Sequence, residues 1–507
     1  MVRLKQRIVT VQRWKLSVIA VLTTYLSSFP LTPTTAQIPS FLPCQMDSSA
    51  MVKQDRLLQL SLNGDSQAQK LYEESILQNA QRLSQCRREN WPKNLAIWLR
   101  LYPCDGTPGA IDRVLDDIVS RGYNQVYVEV FYSGQVLLPA NDNPTPWLSV
   151  VKGTKNEQVD LLAQIIAKGR ARGLKVYAWV FTMNFGYIYG QLGDRQSVLA
   201  RNGRNQTTLS IPSSPDDPHA SGTQVFIDPY HPQARQDFRQ LIQAIVQRQP
   251  DGILFDYVRY LRGEGTASIA SEVKDLWIYG EASRQALSDR ALNRKAFDLL
   301  QQFMRRGTVS NADIRATHKR YPREKSPLWR IPVMAKPLFS LNPSTSIPYQ
   351  LWALTVTHGF QGILEFLNLA TDIAKARGIA SGVVFFPEGN QRIGQGFDSR
   401  LQFWENFPNT LEWHPMSYAI CEDGQCIANQ VQRVLSQAPP GTQVMPALAG
   451  AWGTTFAEHP PLELQMQALS QFRSQLDTVS HFAYSWQEPL RDRQRMLCQR
   501  YMVSTRY

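Results

Sequence analysis

The amino-acid sequence predicts an α/β protein, a (β/α)8 TIM barrel with an N-terminal helical extension and long loops after strands 3 and 4. From residue 93 onward, short apolar runs alternate with helical patterns, and eight such pairs follow one another. Strands that alternate with helices form a parallel sheet, and eight units close that sheet into a barrel. A third observation is an acid at the end of a buried run, within residues 251–260.

The eight predicted strands span residues 95–102, 125–131, 174–181, 253–255, 381–386, 411–418, 443–448 and 481–485. Helices are predicted at 109–121, 157–172, 232–248, 348–377, 400–408, 427–437, 463–476 and 489–498. Two connections are long, 183–231 and 261–348, and long loops are often functional. We expect both to project from the open face of the barrel and to build a groove over a long substrate.

Composition and the N-terminus indicate an exported globular protein. The chain has 507 residues and is 43% hydrophobic and 19% charged, which excludes a disordered chain. Residues 1–36 combine basic residues with a short apolar run and predict a signal peptide or an uncleaved anchor. Residues 37–92 are expected to form a helical extension, and residues 93–507 the barrel. The expected location is the periplasm, the cell envelope or the extracellular space.

The net charge suits an anionic polymer or surface as a partner. Residues 1–36 hold five basic residues and no acid, which leaves +7 of the formal +12 for the rest of the chain. No run of Lys and Arg is dense enough for a nucleic-acid arm, so no nucleic-acid partner is expected. Membrane contact is expected only through the N-terminal segment, if it stays uncleaved.

Six cysteines fit an oxidising compartment. Cys421 and Cys426 flank a tight turn and are predicted to close a small loop. Pairing of Cys44 with Cys86 would then leave Cys104 for Cys498, although six cysteines allow 15 pairings.

The stretch 251–260 ends a predicted buried strand on Asp256, followed by Arg259. Barrel active sites lie at the carboxyl ends of the strands, so this acid is a candidate catalytic group. The structural alternative is an Asp that caps the following loop and pairs with Arg259. Farther upstream, Asp228 precedes a predicted helix and is expected to cap it.

Strand alternation sorts the side chains of strands 1 and 2. Val126, Val128 and Val130 suit the face that packs on helices, so Glu129 is expected to point into the barrel near its mouth. Arg100 on strand 1 is expected to face inward beside it. The alternative for this pair is a structural ion pair, since buried charges need partners.

Other polar and aromatic residues fall at or near predicted strand ends, and each has a structural alternative. Glu388 could be a solvated loop charge, and His414 a core histidine that is hydrogen-bonded to a neighbour. The remaining candidates for this open face are Asn184, Tyr187, Tyr230, Tyr418 and Trp486.

These motifs resemble the bacterial cell-envelope proteins labelled family 10 glycosylhydrolase. The resemblance covers residues 93–490 and is strongest at Val-Tyr-Ala-Trp (176–179), Val-Phe-Ile-Asp-Pro (225–229) and Asp-Gly-Ile-Leu-Phe-Asp-Tyr (251–257). It implies a TIM barrel that acts on glycan chains, with bacterial cell-wall glycan a favoured substrate class.

Glycoside hydrolysis requires two carboxyl groups across the scissile bond. We expect Asp256 to be the nucleophile or base, because a strand-end Asp that is hydrogen-bonded by Arg or Tyr stays ionised. Glu388 is the first choice for the proton donor, and Glu129 is the second. Sugar hydroxyls are expected to contact Asn184, His414 and Tyr418. Arg100 and Arg259 are also predicted to contact the substrate. The rings expected to stack on sugar faces are those of Tyr187, Tyr230 and Trp486.

Rival interpretations remain at this stage. A secreted barrel with one good carboxylate could bind polysaccharide without cutting it. A glycan deacetylase would require an Asp/His/His metal set, and the seven histidines do not show that spacing. No cofactor motif occurs, so neither a cofactor nor a metal is expected.

Overall fold

A closed barrel of eight parallel strands forms the centre of the computed structural model, which describes residues 43–132, 134–211, 224–332, 339 and 345–503. The predicted signal peptide, 1–36, lies outside these residues. The barrel strands β1 to β8 are, in chain order, Asn94–Leu99, Gln125–Glu129, Lys175–Phe181, Gly252–Asp256, Ala380–Phe385, Glu412–Ser417, Ala447–Ala449 and Thr478–Phe482. Each strand pairs with the next, and β8 returns to β1. The predicted fold class is confirmed.

Helices cover the outside of the barrel in the places that the apolar patterns predict. Those that connect consecutive strands are Ala110–Ser120, Leu161–Ala171, Pro232–Gln247, Ile347–Lys375, Gln425–Gln437 and Leu462–Leu469, and Pro489–Val503 follows β8. Between β5 and β6 the predicted helix at 400–408 is wrong. Only the 3-10 turn Trp404–Asn406 forms there, because Leu401 adopts a left-handed backbone and Phe403 and Trp404 are both buried.

Two short sheets and several helices occupy the loops at the mouth of the barrel. The strands of the first sheet are Phe131–Tyr132, Gln135–Val136 and Leu148–Ser149, and those of the second are Ile269–Ala270, Arg392–Ile393 and Gly396–Asp398. The loop helices are Gly186–Gly190, Glu281–Ser288, Arg294–Arg306, Asn311–Arg320 and Tyr484–Gln487.

Two N-terminal helices, Ser48–Leu62 and Ser66–Glu89, lie on the outside of the barrel. Each begins at an aspartate whose side chain accepts hydrogen bonds from the first turn, which satisfies donors that the helix cannot pair. The second helix is held by Tyr72, whose hydroxyl donates to Asp116 over 2.6 Å and accepts from buried Arg172 over 2.7 Å.

Two disulfides staple the described chain, Cys44–Cys86 and Cys421–Cys426. The second was predicted from the tight turn between its cysteines, and the first agrees with the pairing suggested for the two cysteines that flank the N-terminal helical stretch. The third predicted pair includes Cys498, whose side chain lies outside the described part, so it stays a prediction. Among the described residues, no helix has the length and apolarity that a membrane crossing requires.

Candidate functional site at the barrel mouth

Buried acids share one layer of side chains near the carboxyl ends of the strands. Glu129 on β2 is in register with Trp179 on β3, which pairs with Leu254 on β4. The strands of a closed barrel are staggered, so residues at the same height along the barrel axis shift by two positions toward the carboxyl end for every two strands. On β4 the residue at the height of Glu129 is therefore Asp256, two positions after Leu254. The same stagger around the barrel completes this layer with Met416 and Phe482.

Asp256 is held in place on both carboxylate oxygens. The indole Nε1 of Trp179 donates to Oδ2 over 3.0 Å, and the backbone N–H of Tyr257 donates to Oδ1 over 2.6 Å. Burial raises the pKa of Asp256, while the Tyr257 hydrogen bond, the charge of Arg259 and the Trp179 hydrogen bond oppose the rise. The strand therefore ends on a buried acid whose orientation is fixed.

Tyr257, the next residue, has a left-handed backbone with φ of +53°. This region is costly for a bulky residue, so the surrounding structure must enforce it. The Tyr257 ring packs 4.4 Å from the ring of Phe181 and 4.7 Å from the guanidinium of Arg259. The reversal of the chain at Tyr257 brings its own N–H back to the Asp256 carboxylate.

Glu129 and Arg100 form a bidentate pair on one side of Asp256. Arg100 Nε donates to Oε2 over 2.5 Å and Nη2 donates to Oε1 over 3.2 Å. Glu129 is fully buried, whereas the Arg100 side chain is 43% exposed. Burial raises the pKa of Glu129, Arg100 opposes this rise, and the negative charge of Asp256 adds to it. The two acids thus interact electrostatically.

Glu388 and Arg400 form a looser pair on the other side, beyond the end of β5. Arg400 Nη1 lies 3.8 Å from Glu388 Oε1, and Gln430 Nε2 lies 3.4 Å from Oε2. The Glu388 side chain is 34% exposed and so reaches solvent. Arg400 itself is anchored by two hydrogen bonds to Asp398, of 2.7 and 2.8 Å.

Aromatic side chains from β6 to the end of β8 line a third side of the mouth. Trp486 packs against the rings of Phe456, His459 and Phe482 at 4.8, 5.8 and 5.5 Å. Phe482 also contacts Tyr418, 6.0 Å away. Burial raises the pKa of Tyr418, and the charge of Asp256 raises it further, so this hydroxyl lies within electrostatic range of the acid.

Two predicted contact residues do not reach the mouth. His414 is fully buried in a lower layer, 3.4 Å from Glu412 and beside the ring of Tyr127. Asn184 is also buried, and its side-chain oxygen accepts from the backbone N–H groups of Gly186 and Val225. Both expectations are corrected, because both side chains are buried and the Asn184 oxygen already accepts two backbone hydrogen bonds. Tyr187, by contrast, is 47% exposed on the loop after β3.

The predicted roles of Asp228 and Tyr230 also differ from the structure. Asp228 accepts from the backbone N–H groups of Tyr230 and Ser283, so it stabilises the start of Glu281–Ser288 and not the helix that follows it. His231 caps that following helix through Nδ1. The Tyr230 ring stacks on His358, and its hydroxyl donates to the His358 carbonyl, so it is a packing residue.

Sequence analysis missed the residues that hold and surround the acids. Trp179 belongs to a strand motif quoted above, and its parity with Phe181 places it inside the barrel. Arg400 and Phe386 follow the end of β5, and His459 follows β7. No local pattern marks these three, because long-range packing brings them to the mouth. Within the described residues no group of three or more His, Cys, Asp or Glu side chains could hold a metal ion.

One family model matches a segment of the chain that includes part of this site. Residues 103–309 match the family model described as Glycosyl hydrolase-like 10. The match confirms the resemblance noted in the sequence. It includes Glu129, Asp256 and Arg259 and ends before Glu388. No curated protein matches the chain.

Solved structures with similar folds include carbohydrate-active enzymes. The GH20 exo-β-N-acetylglucosaminidase from Vibrio harveyi, in complex with N-acetylglucosamine, is 9% identical with a TM-score of 0.39; the match covers 78% of this chain and 51% of that one. The Paenibacillus sp. cycloisomaltooligosaccharide glucanotransferase is 9% identical with a TM-score of 0.38, covering 71% and 39%. This chain therefore spans about half the length of the Vibrio harveyi enzyme and a smaller share of the length of the Paenibacillus enzyme. We infer no activity from likenesses at this level.

Proposed function

We propose that this chain is a glycoside hydrolase that cleaves a polysaccharide at the barrel mouth by a two-carboxylate mechanism. The observation that carries the proposal is the place of Asp256 in the barrel order. It ends β4, between β2 with the Glu129–Arg100 pair and β5, which is followed by Glu388 near Arg400. The match of residues 103–309 to a glycosyl hydrolase-like family supports it. Hydrolysis of a glycosidic bond needs one carboxyl group to protonate the leaving oxygen and another to act as nucleophile or base.

Asp256 has the surroundings of the nucleophile or base. Its two N–H donors and the nearby charge of Arg259 favour the ionised form, and they fix the direction of the oxygens. A group that attacks the anomeric carbon, or activates a water that does, needs both properties.

Glu388 has the surroundings of the proton donor. Arg100 donates to both oxygens of Glu129, so neither oxygen is free to deliver a proton to a leaving group. Among the described residues, the Glu388 side chain has only the long contacts with Arg400 and Gln430, and it reaches solvent, from which a proton can be supplied between turnovers. In this proposal Glu129 supplies a fixed negative charge beside Asp256, which favours the positive charge that develops on the sugar ring.

The aromatic side of the mouth is the proposed binding surface for sugar rings. Trp486 and Phe482 offer ring faces, Tyr418 offers a hydroxyl, and exposed Tyr187 lies on a loop after β3. Aromatic faces pack against the apolar faces of sugars, while a hydroxyl at the ring edge bonds their polar groups. We propose a polymeric substrate, with bacterial peptidoglycan glycan strands the favoured class.

The proposal also assigns a location. We propose that residues 1–36 direct export, that residues 37–92 form a helical extension and that residues 93–507 are the enzyme. The disulfides Cys44–Cys86 and Cys421–Cys426 support an oxidising compartment. The expected compartments are the periplasm, the cell envelope or the extracellular space.

Product analysis tests the function directly. The mature protein is incubated with purified peptidoglycan and with exopolysaccharides, and mass spectrometry identifies the released fragments. We expect fragments with new reducing ends that increase with time and are not produced by Asp256→Asn. Equal release by the wild type and by Asp256→Asn would contradict the proposal.

The assignment of Glu388 has its own test. Replacing Glu388 with Gln should slow cleavage of natural linkages about 10²- to 10⁴-fold, the usual contribution of general acid catalysis. Activated aryl glycosides need little protonation of the leaving group, so we expect a much smaller loss with them. Glu458→Gln, on an exposed loop residue near the mouth, is the matched control. Wild-type rates of Glu388→Gln on both substrates would exclude Glu388 as the donor.

A second candidate function is carbohydrate binding without cleavage. The bidentate Arg100–Glu129 pair favours it, because a neutralised acid is typical of a structural ion pair. In that case the polysaccharide binds, Trp486→Ala weakens the binding, and no fragments appear in the mass spectra.

A further inference from the structure

Arg259 is a buried cation, and none of the described carboxylates is in contact with it. The residue is 7% exposed, and its Nη1 donates a hydrogen bond to the carbonyl of Tyr260 over 2.9 Å. Across the described part of the chain, no carboxylate oxygen lies within 4.0 Å of its guanidinium. Burying a charge costs free energy unless a partner compensates for it. Arg259 therefore has donors available at the mouth, three residues after Asp256.

Arg400 contributes a second unused donor to the same place. Its Nε and Nη2 atoms are bonded to Asp398, but Nη1 is buried and has no hydrogen-bond partner. The residue is 1% exposed, so bulk water does not replace that partner. Glu388 Oε1 lies 3.8 Å from Nη1, which is beyond hydrogen-bond distance.

One aromatic ring holds the two guanidinium groups together. The Phe386 ring centroid lies 4.5 Å from the Arg400 guanidinium carbon and 5.7 Å from that of Arg259. Rings of Tyr257 and Phe226 flank Arg259 at 4.7 and 5.7 Å. Aromatic packing restricts the rotation of both side chains, so their donors are oriented before any ligand arrives.

We propose that Arg259, supported by Arg400, binds a carboxylate carried by the substrate, and that the substrate is an acidic polysaccharide. A guanidinium offers two parallel N–H groups that match a planar carboxylate, and such pairs are the strong hydrogen bonds of proteins. The excess of +7 outside residues 1–36 attracts the same class of polymer. This inference rests on the proposed function, since it concerns the same mouth.

The test measures binding with the full chain carrying Asp256→Asn, which separates binding from turnover. The probes are two matched pairs: polygalacturonate and its methyl ester, and peptide-free peptidoglycan glycan strands with free or amidated carboxyl groups. We expect the acidic member of at least one pair to bind ten times more tightly or better than its neutralised form. Arg259→Gln should remove that difference, because the neutral side chain has lost the charged fork.

Two variants keep the test decisive. Arg88→Gln removes the same charge from an exposed position on the outer helix Ser66–Glu89, and it should leave the ten-fold difference unchanged. Arg400→Lys retains a cation for Asp398 but loses the free Nη1 donor, so it should lower the preference for the acidic polymer severalfold. This variant keeps the inference testable if Arg259→Gln does not fold. Dextran sulfate provides the remaining arm: competition equal to that of the best carboxylate polymer would overturn carboxylate recognition.

The outcomes separate this inference from the hydrolase proposal. Cleavage of neutralised and acidic polymers at equal rates, with equal binding, would overturn the inference and leave hydrolysis intact. Arg259-dependent preference for the acidic polymers without new reducing ends from the wild type would support the inference and end the case for hydrolysis. Preference for acidic polymers that persists in Arg259→Gln would also overturn the inference.

Discussion

At the bottom of the barrel, the partners of Glu412 outweigh the effect of its burial, whereas at the mouth burial outweighs the partners of Glu129 and Asp256. The Tyr177 hydroxyl donates to Glu412 Oε1 over 3.1 Å, and His414 Nε2 lies 3.4 Å from Oε2. Burial favours a higher pKa for Glu412, but these hydrogen bonds and the charge of His414 outweigh it and lower the pKa. At the mouth, burial wins, and the pKa values of Glu129 and Asp256 are raised.

This difference separates an acid that holds the fold from acids that are available for chemistry. The same residue type, inside the same barrel, is stabilised as an ion at one end and disfavoured as an ion at the other. Barrel enzymes place catalysis at the carboxyl ends of the strands, and raised carboxyl pKa values are common at such sites. Loss of the Glu412 charge should thus affect stability, and loss of the Asp256 charge should affect activity.

The largest expected effect comes from a matched pair of amide substitutions. Asp256→Asn should lower the rate of glycan cleavage about 10²- to 10⁴-fold, because the reaction loses its nucleophile or base. Glu412→Gln, its control at the bottom of the barrel, should keep the rate within about twofold. Initial rates of reducing-end release, with circular dichroism to verify folding, measure both. Similar losses in both variants would mean that the two ends do not differ as proposed.

The next effect concerns the ion pair beside Asp256. Glu129→Gln should lower the free energy of unfolding by about 1–3 kcal/mol, because it removes the charge from two hydrogen bonds to Arg100. The loss stays below that of a fully buried pair because Arg100 is 43% exposed and can regain water. Urea unfolding monitored by fluorescence measures it.

A surface pair provides the control for Glu129→Gln. Glu365 and Arg235 lie 3.2 Å apart on outer helices, with side chains 39% and 29% exposed. Glu365→Gln should change the free energy of unfolding by less than about 0.5 kcal/mol. If Glu129→Gln were equally mild, the pair at the mouth would not be an important contact for the fold.

Sequence patterns predicted the barrel because its strands and helices are determined by residues that are close together in the sequence. Each strand is a short apolar run followed by a helix, and alternation along a strand tells which side chains enter the barrel. Glu129 was placed inside by that parity, and His414 was expected at the open face. Depth could not be predicted in the same way: it depends on the stagger between strands, which puts Glu129 near the mouth and His414 in a lower layer.

The other differences at the site have a similar origin. Asn184 lies just after the end of a strand, where catalytic residues of barrels are often found. Its side-chain oxygen, however, accepts hydrogen bonds from two backbone N–H groups near the turn after β3. Arg400 gave no sequence signal, because its position depends on packing against Phe386, which lies earlier in the same connection between β5 and β6. Partners within a few residues can be predicted from a sequence, whereas partners that the closure of the barrel brings together cannot.

The smallest expected effect is a pH dependence of the free energy of unfolding. Of the three acids compared, only Glu412 should lose its stabilising contribution as the pH falls. The folded-state pKa of Glu412 lies below its ordinary value of 4.5, so its charge adds stability above pH 4.5. That contribution disappears as the pH falls through the folded-state pKa. Glu412→Gln should therefore be less stable than the wild type at pH 7, by about 0.5–1.5 kcal/mol for the weakened Tyr177 hydrogen bond and the lost charge. Urea unfolding of both proteins at pH 7, 5 and 3 should show this gap closing between pH 5 and pH 3.

A raised pKa has the opposite sign: ionisation of Asp256 or Glu129 costs stability as the pH rises through the folded-state value. A gap that widened toward pH 3 would place Glu412 with the mouth acids and remove the distinction between the two ends.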